Sequence, residues 1–222
     1  MFRLDRSRRN NSGEYTVLCL GAHADDIEIG CGGTILSLID EQKNLSVHWV
    51  VLSSEGVRAD EARESAVRFL RGARSAKVVI KDFRNSYFPY TATEIKEYFE
   101  ELKSDVNPDL ILTHYSHDLH QDHRMVSELS WNAFRRHLIC EYEIPKYDGD
   151  LGSPNLFVPL SEPIARTKVK YILEGFQSQS DKQWFDEETF LSIMRLRGVE
   201  CVARYAEAFY CRKMVLNGLR VE

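Results

Sequence analysis

The sequence predicts a doubly wound α/β protein, with a mostly parallel sheet through its first two thirds and a loop-rich C-terminal third. Three observations carry this expectation. Between residues 16 and 137, short β-branched runs alternate with longer amphipathic stretches, the pattern of a parallel sheet covered by helices. Two dense polar clusters stand where the first and fourth of these runs give out. Beyond Glu141 the texture changes, because Pro145, Gly149, Gly152, Pro154, Pro159 and Pro163 interrupt any long element.

The expected strands are Thr16 to Gly21, Ser46 to Leu52, Lys77 to Lys81 and Leu110 to Thr113. Between them, helices are expected over Gly33 to Glu41, Asp60 to Arg71, and Thr93 to Ser104, the last with Thr93 as N-cap and a stop before Asn107-Pro108. After the fourth strand, Val126, Leu129, Ala133 and Phe134 recur at helical spacing, so Arg124 to His137 reads as a helix. Residues 141 to 163 read as loop, with a short hairpin through Leu156 to Leu160. Helices over Arg166 to Phe176 and Asp186 to Arg197 and a last strand over Ala208 to Val215 complete the chain.

At 222 residues and 43% hydrophobic composition the chain has enough material for one sizeable core. Residues 15 to 222 are expected to form one domain. Residues 1 to 14, with Arg3, Arg6, Arg8 and Arg9 ahead of Asn10, Asn11, Ser12 and Gly13, read as a solvated basic arm. A formal net charge of -5 offers no broad attraction to nucleic acid or anionic lipid. No run approaches the roughly 18 to 20 apolar residues of a membrane span. Five cysteines in no C-x-x-C pair fit a reducing compartment, so a cytoplasmic location is expected.

The strongest local signal is Gly21-Ala22-His23-Ala24-Asp25-Asp26, where the first strand ends, followed by Glu28-Ile29-Gly30-Cys31-Gly32-Gly33-Thr34. A tight turn lets a histidine and an aspartate three residues apart face one ion, and nitrogen plus carboxylate oxygen suits zinc. A further ligand is expected from His114-Tyr115-Ser116-His117-Asp118-Leu119-His120-Gln121-Asp122-His123, which follows the fourth strand and carries four of the seven histidines. In a Rossmann-like sheet whose order reverses between strands one and four, the loops after those strands flank the ligand crevice. The two clusters, 100 residues apart, are then one site. The glycines admit two readings, a phosphate cradle or a close approach of helix to sheet. Cys19 and Cys31 read as small core residues.

At these residues the chain resembles the PIG-L/LmbE family of zinc-dependent N-deacetylases, whose motifs run approximately A-H-P-D-D-E and H-x-D-H. Here they stand as Ala22-His23-Ala24-Asp25-Asp26-Ile27 and His120-Gln121-Asp122-His123. The similarity extends from about residue 16 to 213 and includes Gly-Cys-Gly-Gly-Thr, Arg197-Gly198 and Tyr205-Ala206-Glu207-Ala208-Phe209. The resemblance implies an LmbE-like fold, with His23, Asp26 and His123 holding zinc or another divalent transition metal. It implies Asp25 as general base, His120 as the group that polarises the carbonyl or protonates the leaving amine, and Asp122 as the residue orienting an imidazole. It also implies a small N-acetylated sugar as substrate and a trimer or hexamer as assembly. Ala24 and Ile27 depart from the motif's proline and acid, without touching a proposed ligand or the base.

Arg58 or Arg63 after the second strand and Asn85 to Tyr87 after the third are expected on the same rim as substrate contacts. Tyr142, Lys146 and Asp148 are expected in a loop walling the site, and Glu207 as an edge charge. Two other readings stand beside the deacetylase: a nucleotide- or sugar-binding Rossmann-like module with Glu55 near a ribose, and a metal-binding protein without catalysis, which leaves Asp25 and His120 idle.

Overall fold

The computed structural model describes residues 13–215, so the expected basic arm lies almost wholly outside the described residues. Seven strands, β1 (Tyr15–Gly21), β2 (Leu45–Val51), β3 (Ser75–Ile80), β4 (Leu110–His114), β5 (Leu138–Tyr142), β6 (Leu156–Leu160) and β7 (Tyr205–Tyr210), form one sheet in the order β3-β2-β1-β4-β5-β7-β6. The first five pair in parallel, while β7 runs antiparallel to both β5 and β6. This is the mostly parallel, doubly wound α/β sheet expected from the sequence. Its order reverses between β1 and β4.

Among the described residues, six α-helices cover the sheet: α1 (Asp26–Glu41), α2 (Gly56–Phe69), α3 (Ala92–Asp105), α4 (Gln121–Ala133), α5 (Glu162–Gly175) and α6 (Glu187–Glu200). Successive strand side chains point to opposite faces, and two cores result. In β1, Val17 and Cys19 pack into one cluster, shared with α1, α2, α5 and α6, whereas Leu18 and Leu20 pack into a second, shared with α3 and α4. No helix among the described residues is long and apolar enough to cross a membrane.

Several expected boundaries are corrected. Helix α1 begins at Asp26, not at Gly33, so the second acid of the first motif lies in its first turn. The glycines are interior to α1 and serve close approach: a Cβ on Gly30 would stand 2.1 Å from the Tyr142 ring, and one on Gly33 would stand 2.5 Å from Leu160. That geometry favours the packing reading over a phosphate cradle. Helix α4 stops at Ala133 rather than His137, and Leu138–Tyr142, which the sequence reading leaves unassigned to Cys140 and takes as loop from Glu141, is the parallel strand β5. Leu156–Leu160 is a single strand rather than a hairpin, and the last strand spans Tyr205–Tyr210.

Strand β7 lies between β5 and β6, so Glu207 is not an edge charge. Its carboxylate accepts from Gly33 N (2.8 Å), Thr34 N (2.7 Å) and Thr34 Oγ1 (2.6 Å), and meets Lys168 Nζ at 2.6 Å. Lys168 also donates to Ile29 O at 2.7 Å. A buried ion pair thus bridges Ile29 O and Gly33 N, the two groups that an α-helix would join directly. It fixes the depth at which α1, and with it Asp26, meets the sheet.

Candidate active site

The two polar clusters meet at the carboxyl ends of β1 and β4, where the strand order reverses and open α/β sheets bind ligands. After Gly21 the chain makes a tight turn, closed by His23 N donating to Asp26 Oδ2 at 2.6 Å. That bond turns the His23 ring and the Asp26 carboxylate toward each other. Asp25 occupies the N-cap position of α1, and its side chain goes the other way, accepting from Arg58 Nη2 at 3.1 Å.

Opposite, His120 occupies the N-cap position of α4, with its side chain accepting from Asp122 N at 3.3 Å, and His123 follows within the first turn. His123 Nε2 lies 3.1 Å from His23 Nδ1 and 3.5 Å from Asp26 Oδ1, while His23 Nδ1 is 3.4 Å from Asp26 Oδ2. The two Asp26 contacts are made by different oxygens, Oδ1 toward His123 and Oδ2 toward His23, and the trio expected from the sequence is divided between two groups of converging donors. Two overlapping groups offer converging ligand atoms: His23 with His120 and His123, and Asp26 with His114 and His123. His123 is common to both. His114 Nε2 accepts from Ala22 N at 3.0 Å and lies 3.2 Å from Asp26 Oδ2, among the donors that converge with His123.

The electrostatics fit a cation. Burial opposes a charge on His23, but the Asp26 and Asp122 carboxylates outweigh it and push its pKa up to about 9. Burial and the neighbouring His114 take His123 the other way, down to about 4, against the pull of Asp26 and Asp118. Burial opposes ionisation of Asp26 too, but His123, His114 and His23 hold its carboxyl well below the usual carboxylate range. The cluster sets buried carboxylates among imidazoles, with nitrogen and oxygen donors converging.

Asp25 is perturbed upward, by burial and then by the Asp26 charge, with Arg58 opposing. His120, half buried, is lowered by burial and by the charge on His23. Because its Nδ1 accepts from Asp122 N, the neutral ring carries its proton on Nε2. Asp122 is buried; it takes Ser86 N (2.7 Å) and Phe88 N (3.2 Å) and faces His23 Nε2 at 3.3 Å.

The expected substrate contacts divide. Arg58 reaches the site through Asp25. Arg63 lies on the exposed face of α2 with its guanidinium 3.4 Å from Asp60. Asn85 is exposed on the rim, beside Ser86, whose left-handed backbone (φ 65°) aims its N–H at Asp122. Tyr142 is corrected: it belongs to β5, is fully buried, and donates its hydroxyl to Leu20 O at 2.6 Å, one layer beneath the site.

Three residues matter that the sequence reading left without these roles. Asp118 accepts from His120 N at 2.7 Å and holds His123 Nδ1 at 2.9 Å. His114 converges with Asp26 and His123 as a possible donor to an ion. Lys146, expected as a loop wall, pairs with Asp118 at 3.0 Å and with Asp150. A histidine ligand is ordinarily oriented by a carboxylate on its other nitrogen, which is the relationship that singles out Asp118.

Fold and site together define a doubly wound α/β protein with a buried His/Asp cluster at its switch point. The profile of the PIG-L family, GlcNAc-PI de-N-acetylase, matches residues 18–134, and the chain belongs to that family. It is 31% identical over 142 residues to the uncharacterized deacetylase YaiS of Escherichia coli K12, covering 58% of this chain and 74% of the relative. Its fold is similar to that of N,N'-diacetylchitobiose deacetylase from Pyrococcus horikoshii, with a TM-score of 0.65 at 21% identity, over 88% of this chain and 83% of the other. It is also similar to GalB, the 4-carboxy-2-hydroxymuconate hydratase of Pseudomonas putida KT2440, with a TM-score of 0.71 at 17% identity, over 93% and 100% of the two chains. At those identities the likeness is one of fold.

Proposed function

We propose that this protein is a zinc-dependent hydrolase that removes the N-acetyl group from an N-acetylglucosamine-type sugar or sugar conjugate. Membership of the family, a deacetylase among its relatives and the chitobiose deacetylase fold support the reaction class. The observation that carries the mechanism is the divergence of two adjacent carboxylates. Asp26 faces His23 and His123, whereas Asp25, nearly as buried, faces Arg58.

His23, Asp26 and His123 would hold the ion. Zinc so held supplies Lewis-acid polarisation of the acyl oxygen and lowers the pKa of water from about 15.7 toward about 7. Asp25, outside the ligand triangle and raised in pKa by burial, serves as general base. His120 presents Nε2–H as hydrogen-bond donor to the developing oxyanion and as proton source for the leaving nitrogen. Asp122 fixes the His23 ring through Nε2. Arg58 sits where it meets both the base and the substrate, and Asn85 lies on the rim that a sugar ring would approach.

A binding-only role would leave Asp25 and His120 without work, and a hydratase shares the fold. Metal analysis combined with acetate release from a panel of N-acetylated sugars, including N,N'-diacetylchitobiose, separates these readings. The proposal expects about one zinc per chain and stoichiometric acetate and amine. Zinc binding with no acetate from any N-acetylated sugar, or hydration of an unsaturated acid instead, would overturn it.

A further inference from the structure

The five cysteines are free and buried, and four of them lie in pairs. Strands β5 and β7 pair antiparallel with Glu141 opposite Tyr210 and Tyr142 opposite Phe209. Extending that register by one step, just past the end of β7, sets Cys140 opposite Cys211. Cys140 belongs to the same core cluster as Tyr142 and Phe209, and strand alternation carried one residue beyond β7 turns Cys211 toward that face. Directly opposed residues of an antiparallel pair have Cα atoms about 4.5–5.5 Å apart, inside the range of about 4.4–6.8 Å that a disulfide spans.

Cys211 lies just beyond β7, yet it is held in place. Its N–H donates to Asn155 Oδ1 at 2.8 Å and its carbonyl accepts from Asn155 Nδ2 at 3.1 Å. Arg212 and Lys213 then cross the ring of Trp131, and Arg212 Nε meets Glu141 at 2.8 Å, so the following segment is pinned to α4 and to β5. The Cys211 thiol donates to Lys213 O at 3.5 Å.

We propose that Cys140 and Cys211 are an oxidisable dithiol, preset to close into a cross-strand disulfide when the protein meets a hydroperoxide. Cys211 reacts first. It is 9% exposed against 2% for Cys140, and the neighbouring Cys140 takes its thiol down to about 7 in spite of burial. The Cys211 thiolate attacks one peroxide oxygen, the O–O bond breaks, and the departing hydroxide leaves as water after taking a proton. The Cys140 sulfur then displaces the hydroxyl of the Cys211 sulfenic acid, forming the S–S bond and a second water. Two thiols and one hydrogen peroxide become one disulfide and two waters.

Cys19 in β1 and Cys31 in α1 supply an internal control. They are fully buried, out of reach of an oxidant, and burial raises the Cys31 thiol well above its usual value.

The test treats the full-length protein with hydrogen peroxide, blocks remaining thiols under denaturing conditions, and maps peptides without reduction. The expected product is two hydrogens lighter, carries a single Cys140–Cys211 link that dithiothreitol reverses, and melts several degrees higher than the reduced protein. Cys140→Ser should abolish the link and leave Cys211 open to a sulfenic-acid trap, while Cys19→Ser leaves the link intact. A Cys19–Cys31 link, a trapped sulfenic acid at Cys211 in the unmutated protein with no disulfide, or a disulfide form that melts lower than the reduced one would overturn the proposal. Peptide mapping of the unmutated protein decides the matter even if a serine variant fails to fold.

Discussion

Asp118 Oδ2 stands 2.9 Å from Nδ1 of His123, and the opposite ring nitrogen, Nε2, faces His23 and Asp26. One carboxylate thereby chooses which nitrogen of His123 the proposed metal triangle receives. Lys146, 3.0 Å from the same oxygen, keeps that carboxylate ionised together with His123 and His114, well below the usual range although burial opposes the charge.

Asp118→Asn is expected to lower zinc affinity by about 10- to 100-fold, the usual effect of removing such an orienting partner. Competition with a metal-buffered chelator measures it. Unchanged affinity would return Asp118 to a purely structural role.

Arg58 opposes the upward shift of Asp25. A general base must be deprotonated, so activity is lost as pH falls through its pKa. Removing the guanidinium raises that pKa, and Arg58→Gln is therefore expected to move the acidic limb of the kcat/KM profile to higher pH, with zinc present in both proteins. A limb displaced to lower pH contradicts the placement of Asp25 as base.

Glu28 tests burial without catalysis. It is fully buried; Ser65 Oγ donates to one oxygen at 2.6 Å and the other has no partner, so burial raises its carboxyl well above the usual range. The folded protein then binds a proton that the unfolded chain releases above about pH 4.3. This contribution to stability is full below that pH and is lost as pH rises toward the folded-state pKa. Glu28→Gln removes the dependence, and its advantage in Tm over the parent should grow between pH 5 and pH 8; a constant difference would refute it.

Lys168 and Glu207 form a buried pair, and removing one member strands the other. Either Lys168→Met or Glu207→Gln is expected to cost about 3–5 kcal/mol in urea unfolding, and the double variant less than the sum. Strict additivity would mean that the two do not act together on α1.

Much of this was legible because the chemistry lies at strand ends. His23 to Asp26 and His120 to His123 announce themselves by spacing, and the alternation of strands and helices places both clusters at one switch point. What stayed illegible depends on three-dimensional neighbours. Leu138–Tyr142 is five residues long and follows a helix closely, so periodicity cannot distinguish it from a helix end, and Tyr142 was assigned to a loop when it is core. Asp118 sits among four histidines, and nothing in the order of residues says which ring it holds. Glu207 reads as an edge acid until β7 is seen to insert between β5 and β6.

The central claim is that two adjacent aspartates divide the work, Asp26 holding metal and Asp25 moving protons. Zinc content and acetate release measured side by side for Asp25→Asn and Asp26→Ala test it most directly. Asp25→Asn should keep zinc at the parental level while turnover falls by about 10²- to 10⁴-fold, and Asp26→Ala should lose both. An Asp25→Asn protein that retains parental turnover, or that loses zinc as Asp26→Ala does, would contradict the division of roles.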